Sequence, residues 1–359
     1  MSNTIKKISL FLISVFSIIL SLYLCEIYLK YIDIQTNNVY SDFMVFEANN
    51  IYKIDSHLIY TVSNDKNYRN PTKPKDPTKT NIAFVGDSVT WSFGSKDDNT
   101  SYPKSFENIS NKSVGNKIIV NNFGIPGYNF DQEYLLIKEK ILPEYQPDFV
   151  IWNLNVNDVI GSNYSCLFTL KDNQWIRISA RRNLYYWYGA LKTFRSPLFT
   201  TSKLVSYFWY QINSFISPLI VKHNQTFGCS SLDFNQPVQE QIISKLDYFI
   251  KDLNTEFKKN DIKLIITLVP YQQSLDNQGT VDQIAPEYFI LKKYLNFNNS
   301  INFIDYNELL PKTKLNPANE YFLDSSEDIG ERGWRHPNQK TYDLMAIILK
   351  NYVQKNKLF

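Results

Sequence analysis

The chain has 359 residues, 43% of them hydrophobic, so it can bury a large core, and its length allows two domains. Its net charge is only +3 and no long run of lysine or arginine is present, which gives nucleic-acid binding little support. No cysteine and histidine cluster has metal-ligand spacing, and His57 and His223 are isolated, so we expect no metal. The sequence also lacks a glycine-rich phosphate loop, and we expect no cofactor.

An apolar run at residues 8–25 follows Lys6 and Lys7 and contains no charge before Glu26. The run is long enough to cross a bilayer as a helix. Residues 22–24 are all bulky, so a small-x-small cleavage pattern is absent and an uncleaved anchor is favoured over a signal peptide. The two lysines favour a cytoplasmic N-terminus, with the rest of the chain in the periplasm or at the cell exterior.

The chain is divided by composition into an anchor at 1–30, a juxtamembrane region at 31–79 and one domain at 80–355. The juxtamembrane region ends in a stiff, polar, proline-rich connector at 70–78. The domain contains an aromatic-rich insertion at about 160–236.

Predicted strands and helices alternate along the domain. The strands begin at about residues 82, 118, 147, 262 and 301, and the helices cover about 131–142, 238–257, 286–295 and 337–352. This alternation predicts an α/β fold, a single doubly wound domain whose parallel sheet is flanked by helices. In such folds the functional site lies at the carboxyl ends of the strands.

The first predicted strand ends at Gly86-Asp87-Ser88, and a run without glycine or proline follows from Val89 to Phe93. Strand, tight turn and helix start together make a nucleophile elbow. Such an elbow lifts a serine off the end of a strand and points backbone N–H groups at the atom that its hydroxyl attacks. Because Gly-Asp-Ser also makes ordinary polar turns, Ser88 is a candidate nucleophile only if it has partners.

Three later pieces supply candidate partners: Gly127 in a turn, Asn157 after a strand, and His336 before the last predicted helix. With Ser88, these four blocks resemble the SGNH (GDSL-type) hydrolase family over about residues 80 to 350. The resemblance implies that Ser88 is the nucleophile and that His336 takes its proton. It also implies an oxyanion hole made by the N–H groups of Ser88 and Gly127 and the side-chain amide of Asn157.

The sequence departs from the family pattern at two positions. Asn155 stands where the third block usually has glycine, and Gly333 stands where the last block usually has the aspartate that orients the histidine. Asp324 is the first alternative for that acid and Asp328 the second. A Ser–His pair whose imidazole is held by a backbone carbonyl is the third alternative.

The insertion is the part that the resemblance does not explain. Its apolar stretch at 204–221 suggests a second membrane span, which is rejected because it would put Ser88 and His336 on opposite sides of the membrane. The aromatic run at 185–188 suggests either a platform for sugar rings or simply the core of the insertion, and core is favoured. Cys166 and Cys229 bracket most of the insertion, and spacing alone does not establish a disulfide between them.

These observations favour a membrane-anchored serine esterase of the SGNH type on the extracytoplasmic side. We expect it to act on O-acyl groups, O-acetyl above all, of a small molecule or a cell-surface polysaccharide, through an acyl-serine intermediate. An O-acyltransferase that moves the acyl group to a polysaccharide hydroxyl would use the same site. A third alternative is a catalytically inactive carbohydrate-binding or assembly protein on the same fold.

Overall fold

The computed structural model describes residues 3–31, 44–46, 52–54, 69, 73–95, 97–115, 117–126, 128–159, 167–172, 174–177, 238–270, 286–298, 301–310, 320–323 and 336–358. Several residues that the sequence singles out lie outside these ranges: Gly127, Cys166, the run at 185–188, the stretch at 204–221, Cys229, Asp324, Asp328 and Gly333.

Five parallel strands form the central sheet. The strands in the described ranges are Met44–Phe46 (β1), Tyr52–Ile54 (β2), Thr80–Gly86 (β3), Ile118–Gly124 (β4), Phe149–Leu154 (β5), Phe168–Lys171 (β6), Gln174–Arg177 (β7), Lys263–Leu268 (β8) and Asn302–Asp305 (β9). The central sheet has the order β4-β3-β5-β8-β9, while β1 with β2 and β6 with β7 form separate antiparallel pairs. This order is that of a doubly wound fold, with the strand order reversing between β3 and β5.

Helices cover both faces of the sheet. The α-helices among the described residues are Asn3–Tyr31 (α1), Ser88–Trp91 (α2), Tyr102–Val114 (α3), Phe130–Leu136 (α4), Leu142–Tyr145 (α5), Val238–Lys259 (α6), Pro286–Phe297 (α7), Tyr306–Leu309 (α8) and Gln339–Lys355 (α9). Ile82 and Phe84 of β3 join a core with α3 and α9, whereas Ala83 and Val85 join a core with α4, α6 and α7. Successive strand side chains point to opposite faces, so β3 serves both cores. The predicted α/β fold with a parallel sheet flanked by helices is confirmed.

The sequence predicts that the helix after β4 stops at Pro143, and this prediction is wrong. α4 continues through a π-helical turn, Ile137–Ile141, into α5, which contains Pro143 and ends at Tyr145. Pro143 lies in the first turn of α5. Pro143 has no N–H to donate to the preceding turn, and the π-helical turn directly before it is the kind of irregularity found where a proline interrupts the helical hydrogen bonds.

The predicted N-terminal helix is present as α1. Within the part of the chain that the structure describes, no helix combines the length and the apolarity needed to span a membrane. The structure therefore supports the predicted helix at residues 8–25 but not the predicted span.

The end of the predicted connector packs on the domain. The Lys73 N–H donates to Asn121 Oδ1 over 2.7 Å, and the Asn121 amide donates back to Lys73 O over 2.9 Å. Lys73 Nζ lies 3.0 Å from Glu107, and Lys75 Nζ lies 3.1 Å from Asp148. These contacts join the connector to β4, to α3 and to the residue that precedes β5.

Two glycines let the short helix α2 pack closely on the strands. A Cβ at Gly86 would overlap the Thr90 hydroxyl and lie 2.8 Å from Asn153 O. A Cβ at Gly124 would overlap Trp91 N and lie 2.6 Å from Thr90 C. Because the obstacle at Gly124 is backbone, no side-chain rotation can relieve it.

We expect Gly124→Ala to lower the free energy of unfolding by about 1–3 kcal/mol or more, because the added methyl pushes α2 away from β4. Gly115→Ala is the control for an added methyl without a clash, because no atom of the described residues lies within 4 Å of the place that its Cβ would occupy. Gly115 has a φ of 72°, so backbone strain alone sets the loss there, about 1 kcal/mol. Denaturant unfolding of both variants measures the difference, and a loss at Gly124 no larger than that at Gly115 would contradict the packing argument.

Candidate active site

Ser88 begins α2 directly after β3, at the carboxyl edge of the sheet. Asp87 caps the helix, because its Oδ1 accepts a hydrogen bond from Val89 N at 2.9 Å. The helix ends after one turn at Ser92, which has a left-handed conformation with φ 68°, and the Phe93 N–H donates to Ser88 O. Ser88 is therefore held in a tight strand–turn–helix junction of the kind that the sequence predicts.

His336 is held just before α9 by the segment at 320–323. The His336 carbonyl accepts from Leu323 N at 2.9 Å, and Asn338 N donates to Tyr321 O at 3.0 Å. The Asn338 side chain caps α9 by accepting from Thr341 N at 3.1 Å. The backbone on both sides of the imidazole is thereby fixed, which limits how far the ring can move.

The structure brings Ser88 and His336 together, although they are 248 positions apart in the chain. His336 Nε2 lies 2.9 Å from Ser88 Oγ, and both residues are buried. The ring of Phe93 lies over the imidazole at a centroid distance of 4.7 Å. A serine hydroxyl and an imidazole nitrogen at this distance can exchange a proton.

The Asp87 carboxylate connects the serine turn to the loop after β5. Its Oδ2 accepts from the side-chain amides of Asn155 at 3.1 Å and Asn157 at 3.2 Å, and it lies 3.5 Å from Ser88 Oγ. Burial raises the pKa of the Asp87 carboxyl, while the Val89 N–H, the His336 imidazole and the two amides oppose the rise. Asn157 keeps a second amide hydrogen that this contact does not use.

Asn155 explains one departure from the family pattern. Its Nδ2 donates to Asp87, and its Oδ1 accepts from Val156 N at 2.7 Å. A glycine here would supply neither contact. Asn155 therefore gives the buried Asp87 carboxylate an additional donor beside Asn157.

Two further buried carboxyls lie behind Asp87. Glu133 Oε2 accepts from Trp152 Nε1 at 2.7 Å, and Asp158 Oδ2 accepts from Asn155 N at 2.6 Å. Within the described residues, the second oxygen of Glu133 and of Asp158 has no hydrogen-bond partner. Burial raises the pKa of both carboxyls well above the usual range, and the charge of Asp87 raises both further. Their neutral forms are therefore favoured in the folded protein.

The predicted site residues fall into two groups. Ser88, Asn157 and His336 converge at the carboxyl edge of the sheet, and their catalytic roles stay predictions. Gly127, Asp324 and Asp328 lie outside the described residues, so the third oxyanion donor and the acid partner of His336 also stay predictions.

Sequence reasoning missed Asp87 and Phe93 as groups that hold the site. Asp87 carries a signal that could have been used, because an aspartate directly before a helix start is a common cap. Phe93 carries no such signal, since its contact with His336 exists only after the two chain segments have met.

No metal site is found in the part of the chain that the structure describes, where no group of three or more histidine, cysteine, aspartate or glutamate side chains could hold an ion. The expected absence of metal and cofactor remains a prediction.

The protein has a buried serine and histidine in contact at the carboxyl edge of a parallel sheet. This arrangement is typical of hydrolases with an α/β fold. The sequence pattern of the family described as GDSL-like lipase/acylhydrolase matches residues 82–349. The chain belongs to this family, and the predicted resemblance is confirmed.

Solved structures of similar proteins include three esterases. The acetyl xylan esterase AlAXEase is 16% identical, with 76% of this chain and 99% of that chain covered and a TM-score of 0.42. A catalytic mutant of the acetylxylan esterase Axe2 from Geobacillus stearothermophilus is 14% identical, with 78% and 96% covered and a TM-score of 0.42. The psychrotrophic esterase EstA from Pseudoalteromonas sp. is 11% identical, with 78% and 100% covered and a TM-score of 0.42. No curated protein matches the chain significantly.

The buried carboxyls make stability depend on pH. A carboxyl whose pKa is raised by folding contributes stability that is complete below its ordinary pKa and is lost as the pH rises toward the folded value. We expect Glu133→Gln, which cannot ionise, to raise the melting temperature at about pH 8 but not at about pH 4, near the ordinary pKa of glutamate.

Glu144→Gln, at an exposed position in α5, is the control and should change the melting temperature little at either pH. Thermal unfolding followed by circular dichroism measures the effect. An equal shift for Glu133→Gln at both pH values would contradict the assignment of a raised pKa.

Proposed function

We propose that this chain is a serine esterase in which Ser88 attacks the ester carbonyl and His336 acts as general base and then general acid. The observation that carries the proposal is the 2.9 Å contact between Ser88 Oγ and His336 Nε2. Membership of the acylhydrolase family supports the reaction class. A role in carbohydrate binding alone would not require this contact.

The reaction balances with the residues at hand. As Ser88 Oγ bonds to the carbonyl carbon, its proton passes to His336 Nε2, and the carbonyl oxygen becomes an oxyanion. Collapse of this intermediate breaks the bond to the leaving oxygen, which receives the proton from His336. Water then attacks the carbonyl carbon of the resulting acyl-serine and gives a proton to His336 Nε2. The bond between that carbon and Ser88 Oγ breaks, Ser88 Oγ receives the proton from His336, and the carboxylic acid is released.

The proposed oxyanion hole combines backbone and side-chain donors. The Ser88 N–H lies in the first turn of α2, where helical N–H groups have no intrahelical partner. Asn157 has one amide hydrogen on Asp87 and one available for the oxyanion. Gly127 is the third proposed donor, by resemblance to the family.

We propose Asp324 as the acid that orients His336, since it lies one position after the 320–323 segment that binds the His336 backbone. Asp328→Asn is the matched control for Asp324→Asn. Loss of an orienting aspartate costs up to about 10⁴-fold in kcat. Wild-type activity of Asp324→Asn would exclude Asp324, and a loss in Asp328→Asn alone would assign the role to Asp328.

Ester hydrolysis tests the central roles. In assays of the full-length chain with p-nitrophenyl acetate, we expect Ser88→Ala and His336→Ala to lower kcat by at least about 10³-fold, because each removes a reacting group. We expect Asn157→Ala to lower kcat by about 10²-fold to 10³-fold with little change in KM. Equal rates for wild type and Ser88→Ala would contradict catalysis and favour the carbohydrate-binding role.

The substrate proposed is an O-acyl group on a polysaccharide, with hydrolysis as the main outcome. A transferase would use a sugar hydroxyl in place of water at the second step. Adding an oligosaccharide acceptor to the same assay separates the two reactions. Acyl transfer to the sugar at the expense of free acetate would establish the transferase and overturn hydrolysis as the main outcome.

We also propose that α1 attaches the protein to the cell membrane, with the domain on the extracytoplasmic side. The apolar run at 8–25 supports this proposal, and Ile13, Phe16 and Ile19 of α1 are 60–65% exposed. Lys6 and Lys7 favour the cytoplasmic side for the N-terminus.

Cell fractionation tests the attachment. The full-length chain is expected in the membrane pellet after a high-salt wash, and a variant with Ile13→Glu and Ile19→Glu is expected to be released, because charge opposes burial in lipid. Phe297→Glu, at a 79% exposed site in α7, is the control and should stay in the pellet. Recovery of the wild type in the soluble fraction would contradict the proposal.

A further inference from the structure

Arg69 comes from the region before the domain, yet its side chain is buried against the loop that follows the nucleophile helix. Nη1 donates to Ser92 O at 2.6 Å and to Trp91 O at 3.3 Å, and Nη2 donates to Ser95 O. Nε forms an ion pair with Asp98 at 3.2 Å. The guanidinium also lies over the Trp91 ring, 4.7 Å from its centroid.

Two of these carbonyls, Trp91 O and Ser92 O, stand at the end of α2, and Ser92 O also accepts from Ser95 N at 3.1 Å. Trp91 is the last residue of α2, and Ser92 is its left-handed cap. Carbonyls at a helix end need donors from elsewhere, and arginine offers five N–H groups in a planar fork. Burying a guanidinium is costly unless it is paired, so this arrangement fixes both the arginine and the loop.

The loop that Arg69 binds, residues 92–95, is in contact with both proposed catalytic residues. Phe93 N donates to Ser88 O at 3.0 Å, and the Phe93 ring packs against the His336 imidazole. The Phe93 carbonyl accepts from the Tyr342 hydroxyl of α9 at 3.0 Å. A change in the conformation of this loop would therefore move the Phe93 ring that packs against the His336 imidazole.

We propose that Arg69 is a positioning residue for the reaction, which holds the 92–95 loop so that Phe93 keeps His336 Nε2 on Ser88 Oγ. This inference rests on the proposed esterase function. Its consequence is that the segment before the domain is part of the active enzyme. A fragment that begins at residue 79 lacks Arg69 and is expected to turn over more slowly than the full-length chain.

The test compares Arg69→Met and Arg69→Lys with wild type in the full-length chain. Lys73→Met is the matched control, because it removes a cation of the same segment that pairs with Glu107 of α3. A fluorophosphonate that labels reactive serine counts the competent sites, and kcat and KM for p-nitrophenyl acetate are expressed per labelled site.

We expect Arg69→Met to lower kcat per site by about 10-fold to 10²-fold with KM nearly unchanged, since small misplacements of reacting groups have costs of this size. Arg69→Lys should have a kcat between those of Arg69→Met and wild type, because lysine keeps the positive charge but lacks the planar guanidinium with its several N–H donors. Lys73→Met should keep the wild-type kcat.

The outcomes separate the two proposals. If wild type is labelled and turns over, and kcat per site in Arg69→Met equals that of wild type even though the melting temperature falls, Arg69 only stabilises the fold and the inference is overturned. If wild type is neither labelled nor active on esters, the esterase function fails, and the positioning role fails with it.

Discussion

The contact between Ser88 Oγ and His336 Nε2 requires two segments that lie near opposite ends of the domain's sequence to meet at the carboxyl edge of the sheet. The parallel order of the strands makes this possible, because every strand then ends at the same edge. Close packing of α2 on β4 at Gly124 sets the position of the serine, and the 320–323 segment sets that of the histidine. The short contact is thus a consequence of the whole domain.

The buried Asp87 carboxylate organises the polar side of the site. Three donors, Val89 N and the amides of Asn155 and Asn157, compensate its burial. Among the described residues, Glu133 and Asp158 each keep one oxygen without a hydrogen-bond partner, and burial holds the pKa of both well above the usual range. Asp87 is therefore the member of the cluster best supported as an anion.

The sequence was sufficient for the parts of the fold that depend on local pattern. Continuous apolar runs predicted the strands of the sheet, and the 3.6-residue period predicted α6 and α9, because burial on one face or both leaves a mark on consecutive residues. Pro143 misled the prediction of a helix end, since the helix continues past the proline through a π-helical turn. That rearrangement is set by packing and leaves no local signal. The sequence likewise predicted the reacting groups of the site but not the residues that hold them in place. The contacts of Arg69 and Phe93 join positions far apart in the chain and therefore leave no local pattern.

The identity of the acylated residue decides whether Ser88 is the nucleophile. The full-length chain would be mixed with p-nitrophenyl acetate, quenched in acid within the first turnover, digested and analysed by mass spectrometry. We predict an acetyl group on the peptide that contains Ser88, at the Ser88 side chain, and its absence in Ser88→Ala. Turnover that continues while Ser88 stays unmodified would contradict the serine mechanism.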